Sequence, residues 1–267
     1  MRVGLIGSGA ERSLADFLNE ARIAQSDGFA SYWIAPDVSV DALIAVAVIG
    51  SFVPQMEFGA SVEPKFLRHP MLLARQVSTV QQALGGRLML NVAPPMPHSM
   101  QSFSGYLNEQ PLNQIRQIIT VLRQLLGGET VSYRGRSILV QGRLNLNVPV
   151  PPILISSFTK GMLNFAGNTA DGIVTWMVGE KTLASYVVPR VNKAAKFAFR
   201  PLPRIMAAVA VCVTDDTAVA IEASRATLDD FGALASYRAM LDREGVQSPE
   251  DLLITGDEDQ VGSHLYK

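Results

Sequence analysis

The sequence predicts an α/β protein of parallel strands with outer helices, either a (β/α)8-type barrel or a doubly wound sheet. Three observations carry this. Residues 57–90 read strand, loop, helix, tight turn, strand, with a crossover long enough to join parallel strands. The same alternation runs before and after that stretch and gives seven principal strands. A short hairpin over 130–141 interrupts the alternation without ending it.

The central unit shows why each piece is expected. Phe58 to Val62 is an apolar run of strand type, closed by Pro64. His69-Pro70 opens a helix, with proline at the first helical position, where its missing N–H costs nothing. Met71, Leu72, Val77, Val80 and Leu84 recur at roughly helical spacing and make one buried face. Gly85-Gly86 ends the helix, and Arg87 starts the next strand.

The remaining elements follow in order. Strand one covers 2–7. Residues 13–28 form an amphipathic helix, with Ser13 as N-cap and Gly28 closing it. Strand two is 31–35, helix two 41–52, strand three 56–62 and strand four 87–93. The stretch 94–110, PPMPHSMQSFSGYLNEQ, has neither period and reads as a functional loop. Its apolar content suits a lid, with Met96, His98, Met100, Phe103 and Tyr106 as the substrate-facing side chains. Helix four is 111–126, and the hairpin turns at Arg134-Gly135-Arg136. Strand five is 153–157, followed by a helix at 161–170 and strand six at 172–177. A helix over 182–199 should be distorted at Pro189. Strand seven is 204–214, and a long helical stretch runs from 215 to 245. An apolar segment at 251–255 precedes a last helix at 257–265. An eighth barrel strand does not follow; the chain is truncated there, or the barrel is incomplete, or 251–255 takes that place.

Composition bounds the function. The chain has 267 residues, 48% hydrophobic and only 18% charged, so much of its surface is buried. A net charge of −1 and no basic stripe argue against nucleic acid. The one cysteine, Cys212, permits no disulfide framework within the chain, which suits the cytoplasm. The longest apolar run, 42–53, is too short to span a bilayer, so no membrane is expected as partner. Three scattered histidines lack metal-ligand spacing. Gly7-Ser8-Gly9 hints at a dinucleotide fingerprint, but Arg12 stands at the third glycine position and a simple turn explains it. Glu63 and Asp37 fall at C-terminal ends of predicted strands, where a barrel places its chemistry, and are the candidate acid–base residues. A salt bridge from Glu63 to Lys65 or Arg68, and a loop or capping role for Asp37, are the plain structural alternatives.

The segments MRVGLIGSGAERSLADFLNEARIAQSDGFASYW, FGASVEPKFLRHP, QALGGRLML, PPILISSFTKGMLNFAGNTADGIVTWM, LASYVVPRV, VCVTDD and SYRAMLDREGV, in this order, carry a resemblance. The chain resembles the bacterial luciferase-like family, and within it the actinobacterial deazaflavin-dependent oxidoreductases. The resemblance implies one TIM-barrel domain over residues 1–267. It implies coenzyme F420 or FMN at the C-terminal ends of the strands. In FGASV it implies a non-proline cis peptide at Ser61–Val62 under the ring. In SSFTKGM it implies phosphate binding by Ser157, Phe158, Thr159, Lys160 and Gly161 through backbone N–H groups and the helix dipole. In DGIVTWM it places Trp176 near the cofactor or substrate, against the alternative of core packing.

The chain also departs from the family pattern. Thr159-Lys160 replaces a usual Gly-Pro pair. Asn91-Val92-Ala93 stands where Gly-Ile-Gly is usual, and Pro95-Met96 where Ser-His is usual. Glycines there let a cofactor approach the backbone, and Asn91 fills part of that room. Glu63 puts a carboxylate where neutral residues are usual. Two functions follow. One is an oxidoreductase passing a hydride between F420 or FMN and an apolar organic substrate. The other is a cofactor-independent isomerase or cyclase of a biosynthetic kind, on a luciferase-like fold that has lost its flavin site. A homodimer covering an open edge is expected with either.

Overall fold

The computed structural model describes residues 2–7, 12–35, 40–63, 68–94, 111–136, 138–232 and 234–265. The chain forms two compact units, Arg2–Ile155 and Ser156–Lys267.

The first unit runs β1 (Gly4–Gly7), α1 (Leu14–Ser26), β2 (Ser31–Ile34), α2 (Ala42–Phe52), β3 (Glu57–Val62), α3 (Pro70–Ala83), β4 (Leu88–Val92) and α4 (Pro111–Leu126). The hairpin β5 (Val131–Arg134) and β6 (Leu139–Gly142) follows, then β7 (Ile153–Ser156). β1, β2, β3, β4 and β7 lie side by side in that order, with parallel pairing throughout. The expected βαβ repeats are therefore present. Among the described residues the hairpin pairs with itself, antiparallel, as an insertion between β4 and β7.

Helix ends follow the local chemistry. Ser13 caps α1 in a capping box with Asp16. Gly28, at φ 84°, closes it, while Phe29 N–H reaches back to the Ala24 carbonyl. His69 caps α3, its Nδ1 accepting from Met71 N–H at 3.2 Å, and its Nε2 meets the Leu139 carbonyl at 2.9 Å. Nδ1 is thus the acceptor and Nε2 the donor, a helix-entry role. Gly85 and Gly86 both take positive φ and turn the chain into β4. The Arg87 guanidinium donates to the carbonyls of Gly50, Val53 and Met56, satisfying the open end of α2.

Register sorts the strand residues into two faces. Tyr32, Phe58 and Leu88 lie in one row, and Val62, Val92 and Ile155 in another; all are buried on the helix side. Gly50 of α2 marks that side, since a Cβ there would meet Leu84 and Phe58. The opposite face carries the rows Trp33–Gly59–Met89 and Ser61–Asn91–Leu154. Gly59 is needed because the Trp33 indole lies on it; a Cβ would fall 2.0 Å from the ring.

The second unit contains α5 (Lys160–Thr169), β8 (Gly172–Trp176), α6 (Glu180–Thr182), a π-helical turn (Leu183–Val187), α7 (Val188–Phe197) and β9 (Arg204–Ala208). Then come β10 (Val211–Val213), α8 (Thr217–Gly232), α9 (Ala235–Glu244), a 3-10 turn (Pro249–Leu252), β11 (Ile254–Gly256) and α10 (Glu258–Leu265). β8 and β9 pair in parallel, and α5 packs closely on α7 through Gly167, which lies against the Val191 carbonyl. The distortion expected at Pro189 is the π-helical turn before it. Proline has no N–H to return to the preceding turn, and the widened turn absorbs the loss.

Three expectations change. The strand over 204–214 is two strands: Ala208 ends the ladder opposite Trp176, and Val211–Val213 pair instead with β11. The apolar segment 251–255 thus partners β10 in a separate two-stranded sheet. The stretch 215–245 is two helices; α8 ends at Gly232, and Leu234 caps α9.

Candidate functional site

The candidate residues fall into two groups, one in each unit. In the first unit, Ser61 and Asn91 stand opposite each other at the ends of β3 and β4. Asn91 Nδ2 donates to Ser61 Oγ at 3.0 Å, and Asn91 is only 2% exposed. Ala93 follows on the same face, also buried. The amide therefore occupies the space that a glycine would leave open. The Val62 side chain points to the helix side, so only its backbone belongs to this face.

The expected cis bond at Ser61–Val62 is absent; the peptide is trans. β3 stays in regular register through both residues, Ser61 opposite Asn91 and Val62 opposite Val92, and Ala93 N–H donates to the Val62 carbonyl at 2.9 Å. Glu63 comes next and is half-buried. Arg68, one of its two expected partners, pairs with Asp41, which also caps α2 through Ile44 N–H. Lys65, Asp37, Met96, His98, Met100, Phe103 and Tyr106 lie outside the described residues.

In the second unit, the turn after β7 leads into α5. Thr159 N–H donates to Ser157 Oγ at 3.3 Å, which shapes the turn. The first intrahelical bond of α5 runs from Leu163 N–H to the Thr159 carbonyl. The amides of Lys160, Gly161 and Met162 precede it, and the Thr159 side chain makes no capping bond to them. Thr159 and Lys160 are exposed. An amide cluster at a helix start, with a lysine beside it, fits a phosphate group.

Phe158 is buried in this unit rather than turned to solvent. Its ring meets Tyr237 edge-on at 4.6 Å; Tyr237 meets Phe231 at 5.2 Å, and Phe231 lies 6.4 Å from Trp176. This chain of four aromatic side chains links the turn after β7 to the end of β8. Burial pushes the Tyr237 hydroxyl pKa well above its ordinary value. Trp176, at the end of this chain of rings, is half-buried. Its Nε1 is nonetheless buried without a hydrogen-bond partner among the described residues, and so is Thr175 Oγ1, on a side chain 1% exposed. Such atoms cost stability unless a ligand or water meets them. The second group therefore offers what an anionic, ring-bearing cofactor requires: helix-start amides for the phosphate and, in Trp176 Nε1, an orphaned donor at the end of an aromatic wall. Sequence reasoning missed Phe231 and Tyr237, whose spacing within helices looks like ordinary core.

The luciferase-like monooxygenase family model matches residues 2–261. The chain belongs to this family. Among relatives of this luciferase-like chain, 5,10-methylenetetrahydromethanopterin reductase of Methanopyrus kandleri is 24% identical over 248 residues, covering 85% of this chain and 70% of its own. An F420-dependent secondary alcohol dehydrogenase, solved with an F420–acetone adduct, superposes with TM-score 0.85 at 17% identity, over 99% of this chain and 88% of its own. The oxygenating constituent of 3,6-diketocamphane monooxygenase from Pseudomonas putida, solved with FMN, superposes with TM-score 0.79 at 16% identity, over 100% and 87%. The fold is thus the TIM (β/α)8-type barrel fold of luciferase-like enzymes, with the hairpin inserted after α4.

Proposed function

We propose that this luciferase-like chain is an oxidoreductase, passing a hydride between F420 or FMN and an apolar organic substrate. The observation that carries the reading is the uncapped start of α5 in a chain whose family match is nearly complete. The bound cofactor supplies the hydride-transferring ring. The chain's residues supply the rest. The amides of Lys160, Gly161 and Met162 and the Lys160 ammonium hold the phosphate. Ser157 fixes that turn. Trp176 Nε1 offers a hydrogen bond to a polar edge of cofactor or substrate. The apolar side chains at 96, 100, 103 and 106 are the proposed substrate wall, with His98 among them, and Glu63 and Asp37 remain the proposed proton carriers.

We read residues 1–267 as one domain, working in the cytoplasm as a homodimer. Ile44, Val48 and Phe52, at four-residue spacing, expose an apolar stripe on α2, and Leu72 of α3 is exposed too. α2 is apolar on all sides, as a helix covered on all sides would be. A second copy is the proposed cover.

One observation favours the cofactor-free isomerase or cyclase: Asn91 closes against Ser61 where the family's glycine would leave room. Titration of purified protein with F420 and, separately, FMN, followed by calorimetry and fluorescence, separates the two readings. The oxidoreductase requires saturable micromolar binding of one of them. Absence of binding to folded protein sinks it in favour of the cofactor-free enzyme.

A further inference from the structure

We infer that the tip after α7 is a peripheral docking site for an anionic lipid surface. Phe197 is 86% exposed and Phe199 98% exposed, and Leu202 beside them is exposed as well. Two phenyl rings two residues apart and a leucine close by in sequence make an exposed apolar cluster of the kind that marks an interaction site.

The backbone makes this placement costly as well as conspicuous. Phe199 has φ 53°, the left-handed region that favours glycine. Its N–H donates to the Lys196 carbonyl, and Arg200 N–H to the Ala195 carbonyl, the bonds of a Schellman helix end. A glycine would satisfy that geometry without strain and without an exposed ring. Helix termination thus explains the turn, and it does not explain the phenyl group.

Charge decides the partner. Residues 190–204 contain Arg190, Lys193, Lys196, Arg200 and Arg204 and no carboxylate, in a chain of net charge −1. Lys193 and Lys196, four residues and one residue before Phe197, are exposed, and so is Arg204 two residues after Leu202. Arg200 is tied to Asp171 at 3.2 Å and to the Ala170 carbonyl, so it braces the tip. Aromatic rings among lysines and arginines match the boundary of an anionic bilayer, where rings enter the acyl edge and cations meet phosphates. Area argues the same way. Two aromatic side chains and a leucine offer roughly 500 Å², below the ~800 Å² per partner of a stable protein interface. A bilayer needs no complementary surface of that size. No described helix is long and apolar enough to cross a membrane, so the contact is superficial.

The test is flotation of the full chain with vesicles of phosphatidylcholine alone and with vesicles that also carry anionic phosphatidylglycerol. Wild type should partition onto the anionic vesicles, less so as salt rises. The pair F197S/F199G should bind at least tenfold more weakly, and K193E/K196E should lose the preference for phosphatidylglycerol. Melting temperatures establish that both variants are folded. Equal flotation of F197S/F199G and wild type, or no wild-type binding to anionic vesicles, overturns the proposal. So does loss of self-association in F197S/F199G without any vesicle binding, because a second copy would then be the cover.

Discussion

Asn91 and Ser61 hold each other across the ends of β3 and β4, amide to hydroxyl at 3.0 Å. This bond joins two neighbouring strands on the face away from the helices, and Asn91 is almost wholly enclosed. Substituting Asn91→Ala removes the bond and leaves a small void. The expected loss is about 1–3 kcal/mol of unfolding free energy, read by urea denaturation. A loss under a few tenths would mean that this face relaxes freely and does not constrain a ligand.

Trp176 can report the cofactor directly. The chain has two tryptophans, and Trp33 is 5% exposed with its Nε1 donating to Ser31 Oγ. In a Trp33→Phe background, F420 or FMN should quench the remaining emission saturably. Emission indifferent to a cofactor that calorimetry shows to bind would remove Trp176 from the site.

The stripe on α2 predicts the oligomeric state. Val48 is 41% exposed and Phe52 58% exposed. Val48→Asp with Phe52→Glu should leave the fold intact, since exposed substitutions usually change stability by within about 0.5 kcal/mol. Light scattering should then find a monomer where wild type is a dimer. A wild-type monomer would refute the assignment of this face.

Phe199→Gly should stabilise the chain. The left-handed residue at a helix end costs about 1 kcal/mol for a side chain and little for glycine. Thermal unfolding should rise by one or two degrees. A lower midpoint would mean that the ring contributes packing that its 98% exposure does not reveal.

Alkaline pH should destabilise the fold through Tyr32. Burial, reinforced by its 2.5 Å bond to the Glu20 carboxylate, raises the Tyr32 pKa well above 10. Above pH 10 the unfolded chain releases this proton and the folded one retains it. Stability is therefore full below about pH 10 and falls above it, by up to ~1.4 kcal/mol per pH unit for each such group. Tyr237 adds a second contribution of the same sign. Tyr32→Phe should flatten the decline of melting temperature between pH 10 and 11; an unchanged slope would assign it to other groups.

Much of the site was hidden from sequence reasoning for definite causes. FGASV and SSFTKGM are short local segments, and their places at strand ends are legible from pattern. Whether Ser61 meets Asn91 is not, because the two are 30 residues apart and only register aligns them. The trans peptide at Ser61–Val62 likewise follows from continued pairing with β4.

The sequence by itself determined the strand–helix alternation and most helix ends. Ser13, His69-Pro70, Gly28 and Gly85-Gly86 act through their own backbone and immediate neighbours, so three or four residues suffice to read them. Tertiary structure decided which strand residues 211–213 would join, where 215–245 would break, and that Phe158, Tyr237, Phe231 and Trp176 would form one wall. Those outcomes depend on partners tens of residues away, and periodicity states only that a face is apolar, not what will cover it.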